Sequence, residues 1–113
     1  LSRIYKILPR KAWAAAHSVG RFEGSPIDLA DGFIHFSTAA QVQETARRHF
    51  NGQADLVVLE VEADDLGEAV RWEPSRGGEA FPHLYGALNA AQVRYVIEAP
   101  LDADGVPIVG PLA

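Results

Sequence analysis

Leu56-Val57-Val58-Leu59-Glu60-Val61 is almost wholly apolar and rich in valine. So short and unbroken a run suits a strand covered on both faces, its length favouring strand over helix. Such a strand needs neighbours, and the flanking sequence supplies them. Ser2 to Leu8, Phe33 to Ser37, Val70 to Glu73, Phe81 to Tyr85 and Val93 to Ala99 each read as a strand. Two stretches read as helices. The first starts after Pro9, with Trp13 and Ala16 on one face and Gly20 as its stop. The second runs from Ala39 to Phe50, with Val42, Ala46 and His49/Phe50 on one face. Thr38 is its expected cap, Gln41 has the capping-box spacing, and Arg47, Arg48 and His49 suit its negative end.

Between these elements the chain is punctuated by turn chemistry. Phe22 to Leu29 carries Gly24 and Pro26 without a clear period and reads as a loop long enough to cover something. Asp31-Gly32 and Asp104-Gly105 are turn signals, Asp64 to Gly67 reads as a single helical turn or bend, and Asn89 is placed to cap a brief turn at Ala90 to Gln92. Val106 to Val109 reads as a short edge strand limited by Pro107 and Pro111. About six strands and two main helices in segregated order predict an α+β fold, with residues 1–113 forming one domain.

Composition narrows the chemistry. The 113 residues are 48% hydrophobic and 22% charged, an ordinary globular balance. A chain of this size buries about two-thirds of the surface its unfolded form exposes, enough for one core. There is no cysteine, which excludes disulfides, thiolate nucleophiles and Cys-based metal sites. No apolar run approaches the roughly 20 residues of a membrane span, and the N-terminus lacks signal-peptide order, so we expect a cytoplasmic protein without a membrane partner. The chain begins with Leu and contains no Met, so we expect at least an initiator residue to precede it. The net charge of −5 and the absence of a basic stripe argue against an extended nucleic-acid partner.

The polar residues fall in two rows. Side chains two apart on a strand share a face, so Phe33, His35 and Ser37 point one way while Ile34 and Phe36 point into the core. This places an imidazole and a hydroxyl just before a helix N-terminus, an arrangement suited to a phosphate or carboxylate. The same spacing puts Phe81, His83 and Tyr85 together, with Leu84 opposite. If the two strands share a cleft, they supply donors, acceptors and a general acid or base near neutral pH. A hydrogen-bonded structural role is the alternative for each histidine.

We assign ligand contact to Ser37 and capping to Thr38. Arg71 and Glu73 share a face, as a surface charge pair or with Glu73 as a substrate-clamping carboxylate. Tyr5 and Lys6 lie on the first strand, where Lys6 either ends in a cleft or snorkels from a sheet face. His17 and His49 sit at helix C-termini, where a partly charged imidazole is favoured, and no His pair has the H-E-x-x-H spacing of a metal site.

Ile4-Tyr5-Lys6-Ile7, Asp31-Gly32-Phe33-Ile34-His35-Phe36-Ser37-Thr38, Arg71-Trp72-Glu73 and Phe81-Pro82-His83-Leu84-Tyr85-Gly86 occur in this order along the chain. Together they resemble the bacterial family catalogued as domain of unknown function 952, and more remotely the ADP-ribosyltransferase-like group. The remote resemblance implies split antiparallel sheets holding a dinucleotide in a cleft. It also implies NAD or an ADP-ribose-like nucleotide as ligand, NAD as substrate, and no structurally required cofactor. On that footing His35 and Ser37 meet the ribose or nicotinamide side and His83 and Tyr85 line the pocket. Glu73 would polarise a ribose hydroxyl. Lys6 stands where the family often carries His, and the final strand offers Glu98 without a second acid. The expected functions are therefore an NAD- or nucleotide-using enzyme transferring ADP-ribosyl or glycosyl groups, a non-catalytic binding module, or a structural or interaction protein.

Overall fold

The Leu56–Val61 run does lie at the centre of a sheet. The computed structural model describes residues 2–112. In chain order it contains β1 (Arg3–Pro9), α1 (Arg10–Val19), β2 (Arg21–Phe22), α2 (Pro26–Asp31), β3 (Ile34–His35), β4 (Ser37–Thr38), α3 (Val42–His49), β5 (Leu56–Glu62), β6 (Val70–Pro74), β7 (Ala80–Leu84), β8 (Leu88–Asn89) and β9 (Val93–Ala99). A four-stranded sheet has the order β4-β1-β5-β9, a three-stranded sheet β3-β7-β6, and β2 pairs with β8. Every strand pair is antiparallel. Among the described residues no helix is long and apolar enough to cross a membrane.

Alternation along β1 and β5 sends side chains to two separate cores. Ile4, Leu8, Val57, Leu59 and Val61 join Phe22, Ile34, Phe36, Leu84 and Leu88 between the large and small sheets. Tyr5, Ile7, Leu56 and Val58 pack on the other side with Val42 and Ala46 of α3. β5 is buried along its whole length because both of its faces are covered, as its composition predicts. Lys6 lies between Ile4 and Leu8 on the face toward the small sheet.

The first helix forms as expected. It begins after Pro9 and ends at Gly20, whose φ of +91° lets its N–H reach Ala16 O at 2.8 Å. The turn at Ala90–Gln92 is capped by Asn89, whose side chain accepts from Ala91 N at 2.9 Å.

Four expectations need correction. The segment Phe22 to Leu29 contains the start of α2, whose Ser25-Pro26-x-Asp28 opening is a capping box: Ser25 N–H donates to Asp28 Oδ2 at 2.7 Å. Phe33 to Ser37 is not one strand. The chain changes sheets at Phe36, whose N–H bonds Pro82 O, and Ser37 and Thr38 then pair with Tyr5 and Ile4 of β1. The second helix starts at Val42 with Gln41 at its N-cap, and it is the Gln41 side chain that accepts Thr38 N–H at 3.0 Å. Near the C-terminus a single bridge between Leu101 and Pro107 takes the place of an edge strand, because proline gives the ladder no donor.

Candidate functional site

β4 pairs with β1 only at Ile4 and Tyr5. Beyond them, where no strand covers that edge of β1, lies a cavity of about 500 Å³ whose lining includes Lys6, Ile7, His35, Ser37, Thr45 and His83. The walls come from both sheets, from α2 and from α3.

The small sheet arranges its polar row by register. His35 of β3 is the cross-strand partner of His83 of β7, and His83 is the partner of Arg71 of β6. Residues opposite one another share a face, so the two imidazoles sit side by side, ring centroids 5.5 Å apart with planes at 66°. Phe33 stacks on His83 at 4.0 Å and tilts against His35 at 4.6 Å.

Each imidazole is held by a different carboxylate. His83 Nδ1 lies 2.7 Å from Glu73 Oε1, which also accepts the Tyr85 hydroxyl at 2.8 Å. Hydrogen bonds from His83 and Tyr85 keep Glu73 below the usual carboxylate range, and the bond to Glu73 raises the Tyr85 phenol above its own. The Arg71 guanidinium carbon rests 4.5 Å above the centre of the Tyr85 ring. With Nδ1 donating to Glu73, Nε2 is the nitrogen of His83 left to act as an acceptor.

His35 belongs to a buried network centred on Asp28, a residue missing from the sequence-based candidates. Asp28 is 2% exposed. Its Oδ1 accepts the His35 backbone N–H at 3.1 Å and lies 2.6 Å from His35 Nδ1. Lys6 Nζ lies 3.0 Å from Oδ1 and 2.8 Å from Oδ2. Burial alone would raise the Asp28 pKa, but His35, the Lys6 ammonium and the Ser25 N–H together hold it at about 2. Burial pulls Lys6 below the usual amine range, opposed by Asp28. The second ring nitrogen of His35, Nε2, lies 2.9 Å from Asp31 Oδ2.

The structure thus brings His35, His83, Ser37, Lys6 and Tyr5 to one cavity and sets Glu73, Tyr85 and Arg71 around His83. Ser37 Oγ bonds Thr45 Oγ1 at 2.9 Å, with Gln41 O accepting from Thr45, and α3 begins five residues beyond Ser37. The expected phosphate cradle is therefore not formed by these two features in direct succession. The Tyr5 phenol is raised above its ordinary range by burial and by Glu60. Glu98 is outside the site, paired on the surface with Arg10.

Sequence reading missed Asp31, Thr45 and His49 as wall residues and Asp28 as the acid behind His35 and Lys6. Asp28 has a signal in the Ser25-to-Asp28 capping spacing, and Asp31 reads from sequence as half of a turn.

A family model described as protein of unknown function (DUF952) matches residues 7–96. The chain belongs to the DUF952 family. This DUF952 chain is similar to protein CC0527 from Caulobacter crescentus. The crystal structure of CC0527 is 58% identical, with a TM-score of 0.91 over 94% of this chain and 93% of that one. Its solution NMR structure is also 58% identical, with a TM-score of 0.85 over 95% and 92% of the two chains. No curated protein matches this DUF952 member.

Proposed function

We propose that the cavity is an active site in which His83, oriented by Glu73, acts as general base, taking a proton from the water or acceptor hydroxyl that attacks a bound small molecule as its leaving group departs. We further propose that this molecule is NAD or another nucleotide, the chain being an enzyme of ADP-ribosyltransferase-like type. The observation that carries the reading is the 2.7 Å contact between Glu73 and Nδ1 of an imidazole that lines a cavity of about 500 Å³. A carboxylate at Nδ1 fixes the ring's tautomer and steadies the imidazolium that forms when Nε2 takes a proton. The volume lies within the range of small-molecule sites, about 300–1,000 Å³. The nucleotide assignment is supported by the family resemblance of the two histidine segments. Glu73 then works through His83 rather than on a ribose hydroxyl, and His35, with both nitrogens facing carboxylates, positions and polarises.

Pure protein incubated with NAD should release nicotinamide or transfer ADP-ribose. Glu73→Gln should lower kcat by roughly 10²–10⁴ with little change in KM. Absence of turnover with NAD and other nucleotides would remove the enzyme reading.

A non-catalytic binding module is the second reading, favoured by Lys6. Its ammonium is taken up by Asp28, which leaves it no role as a base. This reading predicts saturable binding without turnover.

A further inference from the structure

We infer that the part of a ligand received by this cavity is a group without negative charge that donates hydrogen bonds from an apolar body, and that any phosphates stay outside. The inference rests on the cavity being a ligand site.

Charge placement carries the argument. Among the described lining residues Lys6 is the lysine, no arginine joins it, and its ammonium is already answered. Its Nζ lies within 3.0 Å of both Asp28 oxygens, with the two side chains 5% and 1% exposed. An entering anion would have to compete with a tethered, buried carboxylate for that ammonium. Carboxylates also stand beside both imidazoles. Asp31 lines the cavity beside His35, and Glu73 stands behind His83. An anionic group would therefore be desolvated next to like charge.

The remaining surface suits a different guest. Ile7, Ile27, Phe36, Phe50 and Phe81 supply apolar walls. His83 Nε2 and the Asp31 carboxylate are acceptors, and they call for N–H or O–H groups on the ligand. A nucleoside meets this description and a phosphate does not. The phosphates of a nucleotide would be left to exposed Arg71, the cross-strand neighbour of His83.

The test is titration calorimetry with two matched pairs, adenosine with AMP and phenylacetamide with phenylacetate, each read also at the His83 ring protons by NMR. In at least one pair the neutral member should bind more tightly by about tenfold or more, with little dependence on salt. Asp31→Asn, at an exposed position, should narrow that gap, and Asp28→Asn should narrow it further by releasing Lys6. Tighter or equal binding of the anionic members, competition by inorganic pyrophosphate at the His83 protons, or no binding by any of the four overturns the inference. Its failure can be told from that of the nucleotide reading. Phenylacetamide binding while adenosine and NAD stay silent removes the nucleotide and keeps the inference. NAD turnover together with AMP outbinding adenosine does the reverse.

Discussion

His35 and His83 are cross-strand partners with rings 5.5 Å apart, yet they answer to different carboxylates: Asp28 and Asp31 for the first, Glu73 for the second. The pairing comes from sheet register and the difference from the helix and strand beside each ring. α2 delivers two acids to His35, and β6 delivers one acid to His83. Two neighbouring imidazoles are thereby held differently, one with both nitrogens facing carboxylates and one held by a carboxylate at Nδ1.

The Asp28–Lys6 pair should behave as a buried ion pair. Asp28→Asn strands the Lys6 charge and should destabilise the protein by about 3–5 kcal/mol, whereas Lys6→Met combined with Asp28→Asn should recover much of that loss. Urea denaturation of the two single variants and the double variant measures the coupling. Simple additivity would show that the pair is not an energetic unit.

Acid should expose the same group. Asp28 is held at about 2 in the folded chain against an ordinary 3.8. The folded pKa is depressed, so the stabilisation is complete above about pH 4 and is lost as pH falls toward 2, on the order of 2 kcal/mol. Stability measured across that window should fall in the wild type and fall less in Asp28→Asn. Parallel curves would deny Asp28 this part.

Glu73 should tune Tyr85 without holding up the fold. Glu73→Gln removes the largest cause of the raised phenol pKa, leaving burial, so Tyr85 should titrate closer to the ordinary tyrosine range. Because Glu73 is about one-third exposed, stability should change little. Carbon-13 NMR of labelled tyrosines follows the titration, and a denaturation curve follows the stability.

Gly24 should resist substitution. Its φ is +130°, and a Cβ placed there would sit 2.9 Å from the Cβ of Asp28. Gly24→Ala should cost about 1–3 kcal/mol. Its cost should persist in an Asp28→Asn background, because asparagine keeps the Cβ that the new methyl meets. A denaturant double-mutant cycle decides the point.

Much of this fold was legible because the signals are local. Valine-rich β5, the Pro9 start and Gly20 stop of α1, and the Asn89 cap each express a physical preference of a few residues. The two histidine rows were legible through the period of two. Register was not, since nothing local says that His35 stands opposite His83 rather than one pair along. The split at Phe36 was hidden for a related reason: a continuous β pattern does not reveal that its halves bond to different sheets. Asp28 was overlooked because a six-residue helix holds too few turns to show a period, although its capping box was readable.

The most direct test of the central claim is a thermal-shift titration with NAD and ADP-ribose on the wild type and His83→Ala. A ligand at 100 times its dissociation constant stabilises by about 2.7 kcal/mol, several degrees for a domain of this size. The account predicts such a rise in the wild type and its loss in a folded His83→Ala. No rise with either ligand, or an equal rise in both proteins, would contradict it.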